Sequence, residues 1–346
     1  MLYVTTRDNR EVYTAHKALT ENRAPDGGFY VPFRMPGFSA EEIEALQQKS
    51  FGQCVAEMLN RLFDTKLTAW DVECTIGRSC ARINPMTQRI LVAELWHNLE
   101  WDFQRTVSGL MELLTGNSDC EVSDWAGIGI RIAVLFGLFG KLMRKGLVSV
   151  QNPIDLAVLS GDFSAPMAAW YARQWDLPIG TIILCCNENN NPWELLHHGA
   201  FRTGTVAVRT ITPDGDYVVP RDLEHFISAC GGSRETERFV EDCRLGRMYV
   251  PSEIALENMR AGMYASVVSQ SRVASAIPNV HSSHGQILEP YGALVYSGLM
   301  DYRARTGEGR NGVILCEKGP GADVETTAWA MSQTPEQLRN LLKINE

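Results

Sequence analysis

The chain has 346 residues, of which 45% are hydrophobic and 9% aromatic, so it can bury the cores of two or three domains. Its formal net charge of −9 argues against nucleic-acid binding, because proteins that bind phosphate backbones need a basic surface. Nine cysteines without CxxC spacing indicate reduced thiols rather than a disulfide framework or a zinc site. We therefore expect a small molecule or another protein as the partner.

The N-terminal residues lack the basic and apolar segments of a signal peptide. The longest apolar stretch, Gly127–Gly140, contains Arg131 and is too short to span a bilayer. These features predict a cytoplasmic protein with no membrane partner, either a monomer or a homodimer.

Helical periods and short β-rich runs predict an α/β protein. The predicted helices of the first half are Ala40–Gln48, Gly52–Phe63, Trp101–Leu114 and Trp125–Arg144. They are followed by a strand at Asp155–Leu159, a turn at Ser160–Asp162, a helix opened by Pro166 and a strand at Thr181–Cys186. The later predicted strands are Thr205–Thr210 and Gly312–Cys316, and the later predicted helices are Arg221–Cys230, Ile254–Ser269 and Tyr291–Thr306. Loops are predicted at Gly231–Ser233 and Arg305–Asn311.

Two stretches near the N-terminus resemble the opening of threonine synthases. Residues 3–7 read Tyr-Val-Thr-Thr-Arg, where that family has Tyr-x-Ser-Thr-Arg. Residues 24–32 read Ala-Pro-Asp-Gly-Gly-Phe-Tyr-Val-Pro, where the family has Leu in place of Phe. By itself Asp-Gly-Gly predicts only a tight turn, because glycine permits positive φ. The resemblance continues in chain order at Glu94–His97, Ser160–Ser164 and Leu288–Pro290.

This resemblance implies the tryptophan-synthase-β-like fold of enzymes that use pyridoxal phosphate (PLP), known as fold type II. It implies an N-terminal domain at residues 1–90, a smaller αβα domain with the former phosphate loop at 91–210, and a larger αβα domain at 211–346. The cofactor of such enzymes lies in the cleft between the two αβα domains.

The family's lysine motif reads Glu-Leu-Phe-His-Gly-Pro-Thr-x-Ala-Phe-Lys-Asp. Aligned without gaps to residues 94–105, it places Gln104 at the lysine and His97 at the mouth of the cleft. PLP enzymes hold the cofactor as an imine with that lysine, and a glutamine amide is neither nucleophilic nor basic. Lys318 is the one lysine in a segment expected near the cleft, which makes it the candidate for a relocated imine.

The former phosphate loop is the next implied cofactor site. The family has Thr-Gly-Asn-Phe-Gly where this chain has Ser160 followed by Gly161, Asp162, Phe163 and Ser164. A helix start offers free N–H groups to an anion. We expect the Asp162 carboxylate to accept these hydrogen bonds in place of phosphate.

Two further positions of the cleft follow from the resemblance. Glu317 stands where the family has a threonine that faces the pyridine nitrogen, and its carboxylate could pair with a pyridinium, pair with Lys318 or reach solvent. Asn187 belongs to a matching Asn-Glu-Asn run and is implied to border the cleft. The histidine pairs lack a carboxylate or cysteine at metal-ligand spacing, so no metal site is predicted.

Three functions remain open at this point. The first is a pseudoenzyme, similar to threonine synthase but without PLP, that keeps the cleft to bind a small molecule or a protein. The second is an enzyme that works without PLP and uses Glu100, Asp102, Glu317 and His97 as acid–base groups. The third is an active PLP-dependent lyase of amino-acid biosynthesis, which converts O-phosphohomoserine to threonine with PLP on Lys318.

Overall fold

The computed structural model describes residues 1–34, 37–77, 80–96 and 102–344. Within these ranges the strands are β1 Leu2–Thr5, β2 Tyr13–Thr14, β3 Tyr30–Pro32, β4 Arg82–Pro85, β5 Ile90–Glu94, β6 Ile154–Leu159, β7 Ile179–Cys186, β8 Phe201–Arg202, β9 Met248–Tyr249, β10 Met263–Val267 and β11 Gly312–Cys316. The α-helices there are α1 Ala15–Thr20, α2 Ala40–Glu44, α3 Phe51–Phe63, α4 Ala69–Ile76, α5 Phe103–Thr115, α6 Asp124–Arg144, α7 Ser164–Gln174, α8 Asn191–His198, α9 Leu223–Arg244, α10 Glu253–Arg260, α11 Gln270–His284, α12 Pro290–Thr306, α13 Val324–Ala330 and α14 Pro335–Leu342.

A six-stranded sheet with the order β10-β7-β6-β11-β5-β4 organises the structure. Its neighbouring strands are parallel, except that β4 and β5 form an antiparallel pair. Five parallel strands therefore have their carboxyl ends at one edge, which is where open α/β sheets bind ligands. A separate three-stranded sheet, β2-β1-β3, forms near the N-terminus.

Helix α6 lies in the interior of the molecule and packs against α3 and α7. By length and composition it could cross a membrane, but 89% of its apolar window is buried inside the protein, as in a core helix. Ser123 caps its first turn by accepting a hydrogen bond from the N–H of Ala126. Glycines allow the close approach of α3, because a Cβ at Gly137 would lie 2.6 Å from the ring of Phe51.

Most of the predicted elements are confirmed, with ends that differ by a few residues. The helix predicted at Ala40–Gln48 is α2 continued by a 3₁₀ turn, and the one predicted from Trp101 begins at Phe103 within the described residues. The strands of the central sheet come from all three segments predicted as separate domains, since β4 lies within residues 1–90. The domain boundaries themselves stay a prediction.

The strand predicted at Thr205–Thr210 is wrong, because this segment is irregular. Hydrogen bonds from side chains, and not from a neighbouring strand, hold its backbone. Asn189 bonds both the N–H and the C=O of Val208, at 2.7 and 2.8 Å, and Oδ2 of Asp216 accepts from the N–H of Thr210 at 2.8 Å. Val206 is 89% exposed, so its apolar side chain contributes little to a core.

The helix predicted at Ile254–Ser269 is also wrong beyond Arg260. The chain turns at Gly262, where φ is +76° and a Cβ would lie 2.3 Å from the guanidinium of Arg173. Residues Met263–Val267 then form β10, which pairs in parallel with β7. The pairing with an existing strand outweighs the local helical pattern here.

The loop predicted at Gly231–Ser233 is a break within α9. Helical hydrogen bonding runs on both sides of Gly232, whose φ of +76° and ψ of −177° are not helical. Gly232 therefore marks a sharp change of direction between two helical parts of α9. Only glycine adopts this backbone conformation readily.

We predict that Gly137→Ala destabilises the protein while Gly127→Ala does not. Overpacking of a core costs about 1–3 kcal/mol, which exceeds the roughly 1 kcal/mol that alanine gains over glycine in a helix. A Cβ at Gly127 would make an ordinary contact, 3.7 Å from Val122, so this variant is the matched control in the same helix. Urea and thermal unfolding of both variants measure the difference. Equal stabilisation by the two alanines would contradict tight packing at Gly137.

Candidate functional site

A cavity of about 280 Å³ opens at the carboxyl edge of the central sheet. Its wall consists of residues that follow β6 and β11, the start of α5, one side chain from α6, and the segment around residue 215. The lining residues are Asp102, Phe103, Gln104, Arg131, Leu159, Ser160, Gly161, Asp162, Ser164, Ala165, Asp214, Tyr217, Tyr291, Glu317 and Lys318. Residues from distant parts of the sequence therefore meet in one charged cavity.

Residues 160–164 form a strand-to-helix turn between β6 and α7. Gly161 and Phe163 both have positive φ, at +43° and +76°. Oδ1 of Asp162 accepts from the backbone N–H and the hydroxyl of Ser164, at 3.0 and 2.6 Å. Asp162 thus accepts from one backbone N–H group at the helix start, where the sequence predicted several. Phe163 is buried against Phe226, at 5.4 Å between ring centroids, and anchors the turn outside the cavity wall.

The second oxygen of Asp162 is bound by a cation. Nη2 of Arg221 lies 3.1 Å from Oδ2 of Asp162, and the same guanidinium also contacts Asp124 and Asp222, at 2.7 and 3.7 Å. Burial alone would raise the pKa of Asp162, but the charge of Arg131 and the hydrogen bonds from Ser164 hold the pKa below its usual range. Asp162 is therefore a fixed anion at neutral pH.

A buried ion pair crosses the base of the cavity. Nε and Nη2 of Arg131 donate to the two carboxylate oxygens of Glu317 at 3.2 and 3.1 Å, and both side chains are less than 15% exposed. Burial raises the pKa of Glu317 despite the opposing charge of Arg131. Arg131 also lies over the ring of Phe103, at 5.1 Å from the centroid. The sequence suggested a pyridinium, Lys318 or solvent as the partner of Glu317, and the structure shows Arg131 instead.

Sequence reasoning missed the role of Arg131, which it treated only as an interruption of an apolar stretch. A signal was present, because the single arginine within the apolar stretch Gly127–Gly140 requires a partner if that stretch is buried. The identity of that partner was beyond the sequence, since Glu317 lies 186 positions away.

Lys318 is held by Asp214, which belongs to the 3₁₀ turn Pro213–Gly215. Burial would lower the pKa of Lys318, but the hydrogen bond and charge of Asp214 raise it above its ordinary value. A Cβ at Gly161 would lie 3.2 Å from the carbonyl oxygen of Asp214, so the two turns are closely packed. Asp214 is a second wall residue that the sequence analysis did not identify.

The structure brings seven of the predicted site residues to this cavity: Asp102, Gln104, Gly161, Asp162, Ser164, Glu317 and Lys318. Gln104 lies in the first turn of α5, and its exposed side chain reaches the wall. His97 lies outside the described residues, as does Glu100. These two predictions therefore have no structural counterpart.

Asn187 is buried beside the cavity rather than in its wall. Its Nδ2 donates to Oγ1 of Thr210, Oγ1 of Thr212 and Oδ1 of Asp216, at 2.9, 3.0 and 2.8 Å. These bonds hold the segment that carries Asp214. Asn187 is thus a positioning residue for the wall. The parts of the chain that the structure describes contain no group of three or more His, Cys, Asp or Glu side chains arranged to hold a metal ion.

Known proteins resemble this chain in sequence at its N-terminus and in fold over its whole length. Residues 2–80 match the family model of the threonine synthase N terminus. The structure superposes on PLP-bound threonine synthase from Brucella melitensis with a TM-score of 0.81 and 18% identity, covering 100% of this chain and 95% of the other. Yeast threonine synthase gives 0.81 at 15% identity, covering 100% and 94%. The resemblance to threonine synthases and the fold class predicted from sequence are both confirmed.

Curated relatives match over a shorter region. Threonine synthase-like 1 proteins of Homo sapiens and Macaca fascicularis are each 25% identical over 158 residues, which is 44% of this chain. The matched region is 21% of the length of these relatives, so the chain aligns with only about a fifth of them.

We predict that Glu317→Gln lowers the free energy of unfolding by about 3 kcal/mol, because it removes the hydrogen-bonded counter-charge of the buried Arg131. Replacing both residues by methionine should recover most of that loss, since no buried charge remains. The exposed pair of Arg244 with Glu241 provides the control, and Glu241→Gln should change little. Urea unfolding measures all three. A Glu317→Gln protein as stable as the control would contradict a buried ion pair.

Proposed function

We propose that this chain, which has the fold of the threonine synthases and matches their N-terminal family over residues 2–80, is a threonine synthase-like protein that binds a small molecule in its cavity without PLP-dependent catalysis. The observation that carries this proposal is the position of Gln104. The residue aligned with the family's lysine lies at the cavity, where a lysine would be needed, and its amide cannot form an imine.

Lys318 is a poor replacement for that lysine. A lysine that forms an imine with PLP needs an unprotonated amine, which active sites obtain by lowering the pKa. The ion pair with Asp214 has the opposite effect, because it raises the pKa of Lys318 and stabilises the ammonium. This contact weighs against an active threonine synthase that uses Lys318.

The turn at the start of α7 is a second obstacle to PLP. The N–H of Ser164 already donates to Asp162, and this carboxylate is an anion. A phosphate dianion brought to the same turn would be repelled by Asp162 and would compete for the N–H group. The residues present therefore do not fit the cofactor.

An enzyme that works without PLP remains the alternative, because Asp102 and Glu317 both line the cavity. Each of these carboxylates has a structural partner, however. Glu317 is bound through both oxygens by Arg131, and Asp102 caps α5 by accepting from the N–H of Arg105 at 3.1 Å. A general base needs a lone pair directed at the substrate, so binding is the better supported function.

We predict that PLP and borohydride leave Lys318, the lysine among the described lining residues of the cavity, unmodified. The protein should be colourless, since an imine between PLP and lysine absorbs visible light, and peptide mass spectrometry should find no reduced adduct on Lys318. Threonine synthase from Escherichia coli treated in parallel is the positive control. An adduct on Lys318 would contradict the proposal.

We predict further that Gln104→Lys does not produce threonine from O-phosphohomoserine. The variant regains an amine, but Asp162 still occupies the N–H group at the start of α7. Chromatographic detection of threonine measures the outcome, and the double variant with Asp162→Asn tests the contribution of the carboxylate. Turnover by the single variant would show that the altered turn is compatible with catalysis.

A further inference from the structure

The wall of the cavity carries an excess of negative charge. Four carboxylates line it, those of Asp102, Asp162, Asp214 and Glu317, against the two cations Arg131 and Lys318. Both cations are already paired, Arg131 with Glu317 and Lys318 with Asp214. An incoming anion would therefore find no unpaired positive group among the lining residues that the structure describes.

The charged residues next to the cavity wall do not make the cavity positive. Arg221, which contacts Asp162, is shared with Asp124 and Asp222 at 2.7 and 3.7 Å. One guanidinium thus serves three carboxylates. Burial raises the pKa of the fully buried Asp222 well above the usual range and also raises the pKa of Asp124, so Asp162 is the most firmly ionised of the three. The region remains suited to a positive ligand.

Aromatic groups supply an independent feature of the same wall. Tyr291 is only 8% exposed and lines the cavity, and no hydrogen bond joins its hydroxyl to another of the described residues. Buried tyrosine hydroxyls usually find a partner, and a ligand ammonium group would supply one. The rings of Phe103 and Tyr217 line the same space, and aromatic faces attract organic cations.

The size of the cavity limits the ligand. An enclosed space of roughly 150 Å³ accommodates one benzene molecule. The volume of about 280 Å³ here therefore suits a ligand of up to twice that size. Short aliphatic amines fall within this limit.

We infer that the cavity binds a small organic cation whose ammonium group lies among Asp102, Asp162 and the hydroxyl of Tyr291. This inference rests on the proposed function, because it takes the cavity as a binding site without PLP. It replaces the anionic phosphate ligand of a PLP enzyme by a ligand of the opposite charge.

The test uses 1,4-diaminobutane, its neutral counterpart 1,4-butanediol, and inorganic phosphate, each titrated into the full chain by calorimetry. We expect the diamine to bind and to weaken at higher salt, while the diol and phosphate show no binding. Tighter binding of phosphate, equal binding of the diol, or no binding of the diamine would each overturn the inference. The proposed function would stand in those cases, since it fails only if PLP is trapped or threonine is formed.

Two variants locate the site. Asp162→Asn removes one charge but retains a side chain that caps helices, and Tyr291→Phe removes only the hydroxyl. Each should weaken the diamine about tenfold, as expected for the loss of one charge-assisted hydrogen bond. Asp119→Asn, at an exposed position outside the cavity wall, is the matched control and should leave the affinity unchanged. Unchanged affinity in both site variants would place the diamine elsewhere and overturn the assignment.

Discussion

The buried pair of Arg131 with Glu317 connects the core helix to the cavity. An isolated guanidinium inside α6 would be very costly, because removing a charge from water is repaid only by a well-placed counter-charge. Glu317 provides that counter-charge from the end of β11 through two hydrogen bonds. The pair therefore fixes the rotation of α6 relative to the central strand, and it fixes the backbone at residue 317, next to Lys318. The shape of the cavity follows from this contact.

In the turn after β6, charged groups are likewise paired within the protein. Positive φ at Gly161 and Phe163 directs the chain into α7, and Asp162 then supplies the negative charge that a helix start favours. Arg221 balances Asp162 from the opposite side. Each charged group of this turn thus has a partner within the protein. Such a wall is preorganised, so a ligand need not rearrange it on binding.

Local sequence patterns predicted the elements whose stability is local or whose burial is complete. Helix α6 and strand β11 were found in this way, because an unbroken apolar run and a short β-rich run are distinctive. Residues 205–210 and 263–267 were predicted wrongly, since side-chain bonds from Asn189 and Asp216 decide the first and pairing with β7 decides the second. In the site, alignment to a motif found Gln104, Asp162 and Glu317. It could not find Arg131 or Asp214, whose contacts join residues more than 100 positions apart.

The position of β11 also has a consequence for synthesis of the chain. This strand lies between β5 and β6, yet it is made about 150 residues after β6 and about 220 after β5. Until it emerges from the ribosome, β5 and β6 each have an unpaired edge, and the sheet exists only as two separate halves. Completion of the sheet is therefore a late event with high contact order, and the nascent chain presents strand edges that invite aggregation or chaperone binding. Glu317 and Lys318 follow this strand directly, so the wall of the cavity is completed only after β11 has been made.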